Sequence, residues 1–120
     1  MKKVIFPLLL FLFFGAHSQD QSLILTQGAQ ISVITCGPTP GELYAAFGHS
    51  AIRVYDPDQQ IDLAYNYGVF DFDQPNFYLN FARGYLYYKL GVYHYPHFRD
   101  YYISDNRYVH EQILGLTIEQ

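Results

Sequence analysis

Apolar and polar positions alternate over several short stretches of this 120-residue chain, and the breaks between them fall at glycine, proline and aspartate. Leu23 to Cys36 reads as strand, with Ile31, Val33 and Ile34 its most apolar part. Gly37-Pro38-Thr39-Pro40-Gly41 must be loop. Ala51 to Tyr55 is rich in β-formers and stops at the turn Asp56-Pro57-Asp58; Ile61 to Phe72 follows, so the two predict an antiparallel hairpin. Asp73-Gln74-Pro75 opens a predicted helix over Asn76 to Arg83, with Asp73 as its N-cap and Gly84 closing it. Tyr85 to Tyr95 reads as strand, Pro96 to Asp105 as a short helix and Arg107 to Leu116 as a final strand. Strands with interspersed short helices predict an α+β domain built on a mainly antiparallel sheet. Internal repeats, low-complexity tracts and a domain linker are all missing from the sequence.

The two ends follow other rules. Lys2 and Lys3 precede an apolar run from Val4 to Gly15, and Ala16-His17-Ser18 supplies small residues where a signal peptidase reads. Residues 1–18 are therefore read as a signal peptide and 19–120 as one exported domain. The apolar run is shorter than the roughly 20 residues a membrane-spanning helix needs. At the other end Thr117 is followed three residues later by Gln120, a capping-box signature for a helix start. The expectation is a fragment cut at the first turn of its next helix.

Without Lys2 and Lys3 the chain keeps five basic residues against eleven acidic, a formal charge of −6. That composition argues against nucleic-acid binding, which needs clustered Lys and Arg. Cys36 is the only cysteine, which excludes a disulfide-stapled miniprotein. Stability must come from burial, and 13 Tyr and 10 Phe supply the apolar area for it, with a polar tip on every tyrosine.

His49 is the foremost candidate for chemistry. It sits where the Gly/Pro loop meets a strand, among the small residues Gly48, Ser50 and Ala51 that leave room for a reacting group. Histidine moves protons near neutral pH, and a strand end fixes its orientation. The bland alternative is a structural histidine bonded to backbone. Asn66, in Tyr65-Asn66-Tyr67-Gly68, lies on the strand expected to pair beside it and could orient the imidazole; its alternative is a strand-end asparagine bonding to backbone. Cys36 is the alternative nucleophile within the chain, set against the usual fate of such a cysteine as a small buried hydrophobe. His94 and His97 flank Pro96 without a further ligand at metal spacing, so they are read as surface or packing residues and no metal or cofactor is expected. Asp71 and Asp73 would share a face on a strand, like a carboxylate pair, but a turn before the helix is the preferred reading.

Thr35-Cys36-Gly37-Pro38, Gly41-Glu42-Leu43-Tyr44, Phe47-Gly48-His49-Ser50-Ala51-Ile52-Arg53-Val54 and Tyr65-Asn66-Tyr67-Gly68 with Phe70-Asp71-Phe72 together resemble the Lnb-type N-terminal periplasmic domain. Pro75-Asn76-Phe77-Tyr78 and Arg83-Gly84 continue the likeness, which covers nearly all of residues 19–120. Some members of that family are lipoprotein N-acyltransferases of the bacterial envelope. The family is similar to a permuted papain-like domain, in which the histidine precedes the nucleophile and the cysteine comes later, in an Asn-Cys motif at a helix start. The resemblance thus implies a periplasmic Cys-His acyltransferase acting on lipoprotein or phospholipid acyl chains. His49 would be its base and Asn66 the orienting group, with the nucleophile and a membrane-associated part beyond Gln120. A cysteine hydrolase of cell-wall amide bonds and a non-catalytic envelope binding module are the two alternatives.

Overall fold

The computed structural model describes residues 24–117 and 119–120. The leader read over residues 1–18 lies outside the described residues. Five strands form one antiparallel sheet: β1 (Gln30–Cys36), β2 (His49–Asp56), β3 (Ile61–Phe70), β4 (Tyr88–His94) and β5 (Val109–Ile113), in the order β4-β3-β2-β1-β5. Two helices complete the α+β fold, α1 (Phe77–Arg83) and α2 (Tyr95–Ser104). No helix of the described residues is long and apolar enough to cross a membrane.

Sequence alternation places the core. In β1, Ser32, Ile34 and Cys36 are buried while the residues between them are not. Their partners on β2 are Arg53, Ala51 and His49, so all six share one face. Helix α2 lies on this face and contributes Tyr95, Phe98 and Tyr102 to a core with Ile34, Cys36, Ala51 and Ala64. Pro96 occupies the first turn of α2, where its missing N–H costs no hydrogen bond. On the opposite face Ile31, Val33, Ile52, Val54, Leu63 and Tyr65 are half-buried. A second aromatic cluster joins Tyr44, Phe70, Phe72 and Phe77 through ring contacts of 5.0 to 6.0 Å.

Two charged groups tie elements together. Arg53 is held by both oxygens of Asp62 at 2.7 and 2.9 Å and by Glu111 at 3.0 Å, and lies 3.9 Å over the Tyr95 ring. One side chain thereby links β2, β3, β5 and α2. Asp56, fully buried, accepts from the backbone and hydroxyl of Thr26 and from the side chain of Gln59, which anchors residues 24–29 on the β2–β3 turn.

Two expectations need correction. β1 begins at Gln30, because a turn at Gln27 and Gly28, closed by Ala29 N–H on the Thr26 carbonyl, interrupts the apolar stretch from Leu23. Asp73 does not cap α1: the N-cap is Asn76, in left-handed backbone, and the Asp73 N–H instead donates to the Asp71 carboxylate at 3.1 Å. Asp71 and Asp73 follow the end of β3 in a turn, the reading preferred for that pair from the sequence. At the C-terminal end the Gln120 side chain accepts from Thr117 N–H at 3.0 Å, one half of the capping-box exchange.

Candidate functional site

His49 is the first residue of β2, directly opposite Cys36, the last of β1. Gly48 before it has φ +79, and an added Cβ there would stand 2.7 Å from the Cys36 carbonyl oxygen. Only glycine lets the loop enter the strand this closely. The hairpin register of β2 with β3, continued past the Ile52–Tyr65 pair, brings Gly68 opposite His49 and Asn66 opposite Ala51, two residues away on the same face. A bulge between Asn66 and Val69 breaks the β3–β4 ladder at this point. Bulges of this kind re-aim side chains.

The result is a defined His–Asn pair. His49 Nε2 lies 2.6 Å from Asn66 Oδ1. The same oxygen accepts the Gly68 backbone N–H at 2.9 Å, so the atom facing the imidazole is the amide oxygen. An oxygen can only accept, and Nε2 must therefore carry the proton and donate it. In the neutral ring Nδ1 then holds the lone pair, and it has no hydrogen-bond partner among the described residues. Gly68 makes room for the ring: a Cβ there would come within 2.5 Å of His49 Cε1. Tyr102, buried in α2, lies nearly parallel to the imidazole, with ring centroids 6.3 Å apart.

His49 and Asn66 line a cleft of about 380 Å³ whose other walls are largely aromatic: Tyr44, Phe70, Phe72, Tyr88, Tyr93, Tyr101 and Tyr102. A second cavity of about 320 Å³ adjoins it, sharing Asn66, Tyr93, Tyr101 and Tyr102 and adding His97 and Phe98. Both volumes fall in the range of small-molecule sites; the second cavity is mainly apolar, and the cleft adds the polar groups of His49, Asn66 and Arg107 to its aromatic walls. His97 thus borders the second cavity, with its ring 6.1 Å from that of His94. Among the described residues no group of three His, Cys, Asp or Glu side chains could hold a metal.

Cys36 stands beside His49 on the same face but is buried, and no hydrogen bond joins the two. Burial pushes its thiol up to about 11, against the pull of the Arg107 charge. A nucleophilic thiol needs the opposite environment. Burial likewise pushes the Tyr102 phenol up to about 12.

Arg107 was not legible as a site residue. It lines the cleft with His49, donates Nε to the Gly37 carbonyl at 2.6 Å, and lies 4.5 Å over the Tyr102 ring. The end of α2 puts it there. Asn106 takes left-handed backbone and donates to Ile103, while Arg107 N–H donates to Tyr102, two residues beyond the Asp105 C-cap. This Schellman arrangement folds the second residue past the cap back over the helix. The signal in the sequence was Asn106 followed by Arg107.

Neither a curated protein nor a solved structure is significantly similar to the chain. The model of the Lnb N-terminal periplasmic domain matches residues 22–120, and the chain belongs to that family of envelope domains.

Proposed function

We propose that this domain supplies the base half of a thiol-dependent acyl-transfer site in the bacterial envelope, with lipoprotein N-acylation as its reaction. One observation carries the reading. The Asn66 oxygen, identified by the Gly68 N–H, leaves His49 with its basic nitrogen at Nδ1 in an aromatic cleft. Asn66 is the orienting group of that base. A thiol proton passes to Nδ1, and the thiolate attacks an ester carbonyl. The departing alkoxide takes the proton back, leaving an acyl thioester. An incoming amine then gives its proton to Nδ1 as it displaces the thiolate, forming the amide. Cys36 is set aside as the nucleophile by its burial and raised pKa. The thiol comes from outside residues 1–120, in keeping with a permuted papain-like arrangement. The aromatic walls suit an acyl chain.

The test supplies the thiol. Transfer of a dodecanoyl group from its p-nitrophenyl ester to an added alkanethiol is measured with the chain and with His49→Ala. The expected result is an acceleration that falls about 100-fold or more in the variant. No dependence on His49 would sink the reading and favour a binding module. Transfer without added thiol that disappears in Cys36→Ala would transfer the nucleophile's role to Cys36. Release of free acid in the presence of an amine acceptor would favour the hydrolase.

A further inference from the structure

The chain has two arginines at work on the α2 side of the sheet, and they differ in what is left over. Arg53 spends its donors on Asp62 and Glu111. Arg107 spends only Nε, on the Gly37 carbonyl, and its terminal amino groups meet no acceptor among the described residues. The side chain is nonetheless fixed, clamped between that carbonyl and the ring of Tyr102. It is half-buried and lines the cleft that holds His49. No aspartate or glutamate lines this cleft, although acidic residues outnumber basic ones in the chain.

We propose that the cleft binds an anionic amphiphile, with its aliphatic chain on the aromatic wall and its oxyanion head, carboxylate or phosphate, on the terminal amino groups of Arg107 beside His49. The guanidinium edge presents parallel N–H groups that match two oxygens of such a head. The fixed side chain also loses little freedom on binding.

This inference rests on the reading of the cleft as an acyl-chain site, but not on any nucleophile, so equilibrium binding tests it without turnover. Calorimetry compares dodecyl phosphate, dodecanoate and the neutral dodecyl maltoside, all below micelle formation, with inorganic phosphate alone. The two anionic ligands should bind about tenfold or more tightly than the neutral one. That preference should vanish in Arg107→Gln and survive in part in Arg107→Lys. Stronger binding of dodecyl phosphate would mark a phospholipid head as the source of the oxyanion, and stronger binding of dodecanoate a fatty acid. Equal binding of all three chains overturns the role of Arg107 while leaving the acyl-chain reading intact. Failure of all three to bind overturns both. Inorganic phosphate binding as tightly as dodecyl phosphate would remove the aliphatic chain from the recognition. The comparison of ligands on the unaltered chain decides the matter even if the Arg107 variants do not fold.

Discussion

His49 donates Nε2–H to Asn66 Oδ1 across 2.6 Å, and that oxygen is itself pinned by the Gly68 N–H at 2.9 Å. Two donors on one acceptor assign both the amide orientation and the imidazole tautomer, without which a base cannot be placed. Nitrogen-edited NMR at alkaline pH should show Nδ1 as the unprotonated nitrogen and a slowly exchanging Hε2. Asn66→Ala should remove the Hε2 signal. It should also cost about 1–2 kcal/mol, because the Gly68 N–H loses its acceptor. A protonated Nδ1 in the unaltered chain would rule this geometry out.

Gly68 matters for space rather than for backbone conformation. Its missing Cβ is what the His49 ring occupies, with Cε1 2.5 Å and Nδ1 3.3 Å from where that carbon would stand. Gly68→Ala should expel the ring from its place opposite Asn66. The expected signs are loss of the Hε2 signal and at least a tenfold fall in thiol-dependent acyl transfer, with only about 1–2 kcal/mol lost in stability. Retention of the signal in the variant would show that the ring can shift without breaking the pair.

Cys36 should behave as core rather than as chemistry. Burial raises its pKa from 9.0 to about 11, with Arg107 acting against the shift. At pH 8 this alone leaves roughly 100-fold less thiolate than an ordinary thiol would have, and burial slows reagent access further. Iodoacetamide should therefore label the folded chain far more slowly than the urea-unfolded chain. Cys36→Ala should leave His49-dependent transfer within about threefold of the unaltered rate. Rapid labelling of the folded chain would place Cys36 back among the candidates.

The order of the elements was legible because alternation and punctuation are local signals. Val33, Ile34, Ile52 and Val54 marked strands, Gly84 marked the end of α1, and the Asp56 to Asp58 turn marked the hairpin that brings Asn66 to His49. Those signals misled where a carboxylate captured a backbone N–H, in one case from across the fold and in the other from two residues away. Thr26 is drawn out of β1 by Asp56, and the Asp71 carboxylate takes up the N–H of the residue expected to cap α1. Gly68 carries no sequence pattern of its own, and Asn106 before Arg107 marks only the end of a helix. Gly68 is placed by strand register, and Arg107 by the Schellman end of α2, from which it reaches the Gly37 carbonyl.

Arg53 joins four elements, so its loss should be felt globally. Arg53→Met keeps the contact with Tyr95 but strands Asp62 and Glu111, whose side chains are 26% and 29% exposed and so recover only part of their hydration. The expected cost is about 2 kcal/mol, below the 3–5 kcal/mol of a fully buried broken pair. Arg53→Lys should cost about 1 kcal/mol, because an ammonium cannot hold both carboxylates at once. Urea unfolding measures both. An Arg53→Met variant as stable as the unaltered chain would mean that the ion pairs contribute nothing net.

Asp56 links stability to acid. Burial alone would raise its pKa, but the hydrogen bonds from Thr26 and Gln59 outweigh burial and hold it at about 2, below the ordinary 3.8. A carboxyl whose folded pKa is depressed stabilises the fold above its unfolded pKa, and that stabilisation drains away as pH falls through the folded value. The window is therefore about pH 4 down to pH 2. Asp56→Asn places an NH₂ group among donors that need an acceptor, so its melting midpoint at pH 7 should be lower by about 5 °C or more. Its midpoint should also fall less steeply between pH 4 and pH 2. Other carboxyls titrate in the same range in both chains, so the difference between the two curves is the quantity to read. Parallel curves would show that Asp56 gains nothing from its charge and that Thr26 is held on the hairpin by packing alone.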